Sequence, residues 1–190
     1  MADTAAIPTR AAVSAPKRFT WADVKAMMRA GVIEEGGPEE LLDGEIWVMP
    51  AEGEAHVDLK PWLNEQLFIR KPVGAGVACD TTLRLSDTHA PSPDFYLFPS
   101  AMRASAARGP DLLLLIEIDD TSRKKDLEIK GPKYREYGVR EYWVIDLEKR
   151  VTHVHRLDGA WPQTPPVPFD AELSPAFAPE LRLRLADAGV

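Results

Sequence analysis

A chain of 190 residues with 45% hydrophobic and 28% charged content has enough apolar mass to bury an ordinary core and is composed like a globular domain. Its net charge of −7 argues against broad, non-specific coating of nucleic acid, and a single cysteine, Cys79, excludes an intrachain disulfide or a cysteine-rich zinc site. No apolar run approaches the roughly 18 residues of a membrane span, the start MADTAAIPTR lacks the apolar core of a secretory signal, and the lone thiol suits a reducing, cytoplasmic setting.

Residues 1–17, rich in Ala, Pro and Ser, read as a mobile arm ahead of one domain over 18–190. Thr20 to Asp23 forms a capping box that opens a short helix to Ala30. After a Gly36-Gly37-Pro38 loop, Glu40 to Met49 predicts a hairpin turning at Asp43-Gly44. A helix is expected from about Glu54 to Ile69, with Val57, Trp62, Leu63, Leu67 and Phe68 as its apolar side chains. Lys60-Pro61 either divides that helix or marks a later start. Strands are predicted near 76–85, 93–98 and 111–119, a helix over 123–137, and strands over 141–147 and 151–156. The proline-rich stretch 162–168 reads as irregular, and a last short strand is placed at Leu181–Leu185. This order predicts an α/β fold, a central mixed β-sheet flanked by helices.

The stretch from Leu112 to Asp146 carries charges where a plain core would not hold them. Burying an ionised group is costly unless it is paired or holds a metal. Strand alternation puts Leu113, Leu115, Glu117 and Asp119 on one face and Leu112, Leu114, Ile116 and Ile118 on the other. Both acids then sit at the carboxyl end of the strand, where open α/β sheets place their ligands. In the following helix, Leu127, Lys130, Gly131, Tyr134, Tyr137 and Gly138 share a stripe, with Ile129 opposite. Lys130 therefore falls on the apolar face. Its plainer alternative is to snorkel past the sheet edge. Asp94, after Pro93, is the third candidate; an acid there is otherwise a turn residue. Asp94 and Glu117 on neighbouring strands could supply oxygen ligands to Mg²⁺ or Mn²⁺. Asp120 has a plainer reading as a helix cap, and Arg123, Lys124 and Lys125 as a solvated basic turn.

The ordering Pro93-Asp94, then Glu117 within a hydrophobic strand, resembles the PD-(D/E)XK nuclease superfamily. More narrowly, roughly residues 18–187 resemble the Uma-type restriction endonucleases, a bacterial family. The resemblance rests on Glu40 to Glu45 with Met49-Pro50 behind it, His56, Ser92-Pro93-Asp94, Glu117-Ile118 and Arg123 to Asp126. Lys130, Tyr134, Gly138-Val139 and Glu141 to Asp146 complete it. It implies a restriction-endonuclease-like fold and metal-dependent hydrolysis of DNA. Asp94 and Glu117 match the metal-binding acids. The superfamily's usual lysine lies two residues after the acid, a position that is Asp119 here. The resemblance moves that lysine to Lys130, the residue the helical stripe had already singled out. Glu40 and His56 match recurrent family positions and, with Asp119, are accessory candidates. Arg123, Lys124 and Lys125 are candidates for DNA contact.

Two departures from the pattern matter. The segment after the acid reads Asp119-Asp120-Thr121-Ser122, where the family favours Ser-Pro-Ser-Thr, and Pro132 falls in the first half of the helix that carries Lys130. They support an alternative: a nuclease-fold module that binds nucleic acid or a protein partner without cutting. Five tryptophans leave room for a homodimer.

Overall fold

The computed structural model describes residues 16–120, 126–159, 161–162 and 164–190. Nearly all of the expected N-terminal arm lies outside these residues, as do Arg123, Lys124 and Lys125.

Helix α1 (Trp21–Arg29) begins where the capping box places it. The Thr20 hydroxyl accepts the Asp23 amide, and the Asp23 carboxylate accepts the Thr20 amide. Strands β1 (Glu39–Leu42) and β2 (Glu45–Val48) pair as the expected hairpin, with Asp43 and Gly44 both at positive φ in the turn. Leu41 also bridges Ala90, and beneath the hairpin Val24, Ile33, Leu41 and Ala90 form a small core.

The main sheet has six strands in chain order: β3 (Ala75–Cys79), β4 (Phe95–Pro99), β5 (Leu114–Asp119), β6 (Glu141–Asp146), β7 (Val151–Arg156) and β8 (Val167–Pro168). Only β5 and β6 are parallel; the other neighbours are antiparallel, so the sheet is mixed as expected. A parallel pair needs a crossover connection. Here it runs through residues 126–130 and α3 (Gly131–Glu136), the segment that carries Lys130.

Helix α2 (Glu54–Arg70) packs on one face of the sheet through His56, Leu59, Leu63 and Leu67, a stripe at three- and four-residue spacing. The stripe differs from the expected one, since Val57 and Phe68 are exposed. Nor does Pro61 divide the helix. It sits on the solvent side, where the carbonyl that loses its amide partner can turn to water. Leu59, Leu63 and Leu67 join Leu114, Ile116, Ile118, Trp143 and Ile145 in one core. The opposite sheet face packs Leu115, Tyr96, Tyr142 and Val144 against Tyr134 and Val139. Alternation therefore holds from Leu114 onward. Before it, Leu112 packs with the Leu115 side and Leu113 with the other, because a short 3₁₀ turn over Gly109–Asp111 precedes the strand.

Three further expectations are corrected. Strand β3 stops at Cys79, where Asp80 takes φ +48 and turns the chain out of the sheet; residues 80–85 are loop. Of the segment 123–137, residues 123–125 lie outside the described residues, and the remainder is not one regular helix. Asp126–Lys130 is a wide π-type turn, and α3 starts after it with Pro132 in its first turn, where a missing amide costs no hydrogen bond. Near the C-terminus, Leu183 makes only an isolated bridge to Leu173 and Leu185–Ala188 is a 3₁₀ turn, while Val167–Pro168 supplies the edge strand instead.

Candidate active site

The carboxyl end of β5 opens into a cavity of about 510 Å³, walled also by the β1 edge, the loop 49–53, the start of α2 and the π turn. Five sequence candidates line it: Glu40, His56, Asp94, Glu117 and Lys130. Asp119, the sixth, is buried at the end of β5 opposite Asp146 and is not on the cavity wall; Asp120 is. Asp120 precedes residues 121–125, so its expected helix cap lies outside the described residues. Its Oδ2 lies so close to Gly53, the N-cap of α2, that a Cβ there would stand 1.8 Å away.

The β4–β5 register pairs Phe95 with Ile116, so one further step sets Asp94 opposite Glu117. Asp94 is anchored by three donors. Its Oδ2 accepts the Ile118 amide at 2.7 Å, and its Oδ1 lies 2.9 Å from both His56 Nε2 and Lys60 Nζ. Burial opposes its charge, but the His56 hydrogen bond and the positive neighbours prevail and hold its carboxyl below the usual range. His56 responds in kind. Burial works against its charged form, yet Asp94 and Glu52 raise its affinity for a proton.

Lys130 does not snorkel. It is 3% exposed, and its ammonium lies 2.9 Å from Glu40 Oε1, 3.0 Å from Glu117 Oε1 and 3.7 Å from Asp126 Oδ1. The wide turn places Asp126 and Lys130 together beneath Glu117. Tyr134, one turn on, donates its hydroxyl to the same Glu117 Oε1 at 2.8 Å. Glu40 Oε1 also accepts the Ser92 amide, which ties the hairpin to the segment leading into Asp94.

Among the described residues, one ammonium, that of Lys130, faces Glu40, Glu117 and Asp126 in this half of the site. Burial, only partly offset by Lys130, pushes Glu117 up to about 8, with Asp126, Asp94 and Glu40 adding to the rise. Counting acceptor positions locates the unused oxygens. A carboxylate has about four lone-pair sites. Asp94 has three filled, leaving one on Oδ2. Both hydrogen bonds to Glu117 land on Oε1, which leaves Oε2. Glu40 Oε2 is buried with no hydrogen-bond partner. Carboxylate oxygens with open acceptor positions of this kind, Glu40 Oε2 among them both buried and unpaired, suit a hard divalent cation. A second group lies beside them: Glu52, His56 and Asp94 bring potential ligand atoms within 4.8 Å of one another.

Sequence reasoning missed Lys60. It reaches Glu52 Oε1 and Asp80 Oδ1 at 2.6 Å as well as Asp94. A signal existed: Lys60 follows His56 by one helical turn, so the two share a face if the helix continues through Pro61. Glu52 and Asp80 lie in loops, where periodicity gives no guidance.

The six-stranded mixed sheet flanked by helices is a restriction-endonuclease-like fold, and Asp94 just before β4, Glu117 on β5 and Lys130 from the crossover meet at the carboxyl end of β5. The chain belongs to the Uma2 family, described as "Putative restriction endonuclease", whose model matches residues 24–186. Among solved structures, it is similar to one described as a putative nuclease belonging to DUF820 from Anabaena variabilis ATCC 29413. That likeness has a TM-score of 0.65 at 19% identity and covers 84% of this chain and 94% of the other. No curated protein matches the chain. Among the described residues no helix is long and apolar enough to cross a membrane.

Proposed function

We propose that this protein hydrolyses phosphodiester bonds of DNA with the help of Mg²⁺ or Mn²⁺. The observation that carries the reading is the Lys130 ammonium, buried between Glu40 and Glu117 with Asp94 across the strand pair, in one open cavity. Asp94, Glu117 and Glu40 offer the oxygens that would hold the ion. When bound, such an ion adds positive charge at the phosphate and lowers the pKa of the attacking water.

The protein's own groups have defined tasks. His56 and the Ile118 amide fix the Asp94 carboxylate so that one oxygen stays directed to the Glu117 side. Tyr134 fixes Glu117 in the same way. Lys130 gives two of its three N–H bonds to Glu40 and Glu117; the third is available to a phosphate oxygen as negative charge builds on it. Water adds to phosphorus, the P–O bond to the leaving sugar oxygen breaks, and a phosphate monoester and a free hydroxyl end result. Arg123, Lys124 and Lys125, carried by the connection between β5 and the π turn, are assigned to the DNA backbone.

The test is cleavage of plasmid and linear DNA by purified protein with Mg²⁺ or Mn²⁺. Asp94→Ala and Lys130→Ala should each lose about 10²–10³-fold in rate, and a chelator should abolish cleavage. Undiminished cleavage in both variants overturns the mechanism. One observation favours the non-cutting alternative: among the described residues eight carboxylates line the cavity (Glu39, Glu40, Glu52, Asp80, Asp94, Glu117, Asp120 and Asp126) and would repel a bare phosphate. Calorimetric titration separates the two readings. Absence of divalent binding at millimolar concentration selects the non-cutting module.

A further inference from the structure

Among the described residues, the candidate site contains two groups of acids and two lysines. Lys130 serves the group on β1, β5 and the π turn. Lys60 serves the other, and its contacts conflict with the ligand trio beside it. Glu52 Oε1 and Asp94 Oδ1 are the carboxylate oxygens that face His56, the third member of that trio. Lys60 Nζ lies 2.6 Å from the first and 2.9 Å from the second. Asp80 Oδ1, at 2.6 Å, completes three carboxylates around one ammonium. An ammonium and a metal ion cannot occupy one position, and the like charges exclude each other at this range. The lysine side chain is only 12% exposed, so it is not a mobile surface group that happens to face acids. Pro61 follows it on the outer face without breaking the helix that presents it.

We infer that Lys60 is a built-in cation: its ammonium fills the position between Glu52, Asp80 and Asp94, and the protein therefore takes one divalent ion fewer than its carboxylates could hold. Many phosphodiester-cleaving sites use two metal ions a few ångströms apart to neutralise both the attacking and the leaving oxygen. Here one of the two positive charges is covalently attached. Its consequence for catalysis rests on the hydrolytic reading above: Lys60 would then be the second positive charge near the phosphate, fixed in place without a metal. The cation count itself does not depend on that reading. Burial opposes the charge of Lys60, but Asp94, Asp80 and Glu52 more than compensate and hold it protonated.

Calorimetry and native mass spectrometry of full-length protein with Mn²⁺ test the inference. Lys60→Gln should bind one more Mn²⁺ than the parent, whereas Lys60→Arg, which keeps the charge, should not. If the parent binds one ion and Lys60→Gln two, both readings stand. If the parent binds none and Lys60→Gln one, the inference stands and the hydrolytic reading falls. Equal stoichiometry and affinity in parent and Lys60→Gln overturns the inference alone. Glu52→Gln supplies a check that does not depend on that variant folding. Glu52 serves Lys60 and not the metal, so the parent's Mn²⁺ affinity should change less than twofold; a loss of tenfold or more overturns the assignment.

Discussion

Glu117 receives Lys130 and Tyr134 on one oxygen while its other oxygen remains for a ligand. That division of labour makes Tyr134 a positioning residue. Its hydroxyl touches no candidate substrate position, but it fixes the carboxylate that must hold charge. Removing it leaves the apolar packing of the ring against Tyr142 in place. Tyr134→Phe should therefore cost about 1–2 kcal/mol in denaturant unfolding, the usual cost of one lost buried hydrogen bond. It should also weaken Mn²⁺ binding about tenfold, because Glu117 loses its orientation; unchanged metal affinity would show that Tyr134 is only a packing residue. Residue-scale reading of the sequence singled out Lys130, Glu117 and Asp94 as ionisable groups in positions a plain core would not favour. Periodicity put Lys130 and Glu117 on inward faces, and Asp94 was picked out by its place after Pro93 on the strand neighbouring Glu117. Lys60 was passed over because Pro61 suggested an interruption of the helix that presents it.

At the scale of elements, the hairpin, α1, α2 and strands β4 to β7 were legible because each is short, bounded by clear turn residues and regular inside. The π turn was not. A 3.6-residue period places Lys130 on the inner face whether the turn is α or π, so the pattern reports the face and not the hydrogen bonding. The strand drawn through 80–85 failed for a different reason: its apolar residues, Leu83 and Leu85, are buried by a loop that hydrogen-bonds back to His89 and Pro91. The pairing of β6 with β7 carries its own prediction. His155 is 2% exposed, opposite Tyr142, with Nδ1 3.3 Å from the Tyr142 carbonyl oxygen and its ring between those of Tyr142 and Trp161. Burial lowers its pKa to about 4, from 6.5. The unfolded chain then takes up a proton at His155 before the folded protein does. The contribution is fully present above pH 6.5 and is lost as pH falls from 6.5 through 4, by about 3 kcal/mol at most. His155→Phe keeps the ring packing and should flatten that part of the stability–pH curve relative to the parent. Parallel curves between pH 4 and 6.5 would contradict the assignment.

Over the whole molecule, the two cores on opposite faces of the sheet leave the carboxyl end of β5 open, and the hairpin with α1 closes over one side of it. An acidic chain with an acidic cavity can approach DNA only if cations change the local balance, which is why the metal question decides the function. The most direct measurement is a crystal of the protein soaked in Mn²⁺ and read by anomalous scattering. The account predicts one peak, bound by Asp94 and Glu117, with the Lys130 ammonium within hydrogen-bond reach of a water on the metal. A crystal with no peak, or with its peak among Glu52, His56 and Asp94 and Lys60 displaced, would contradict it.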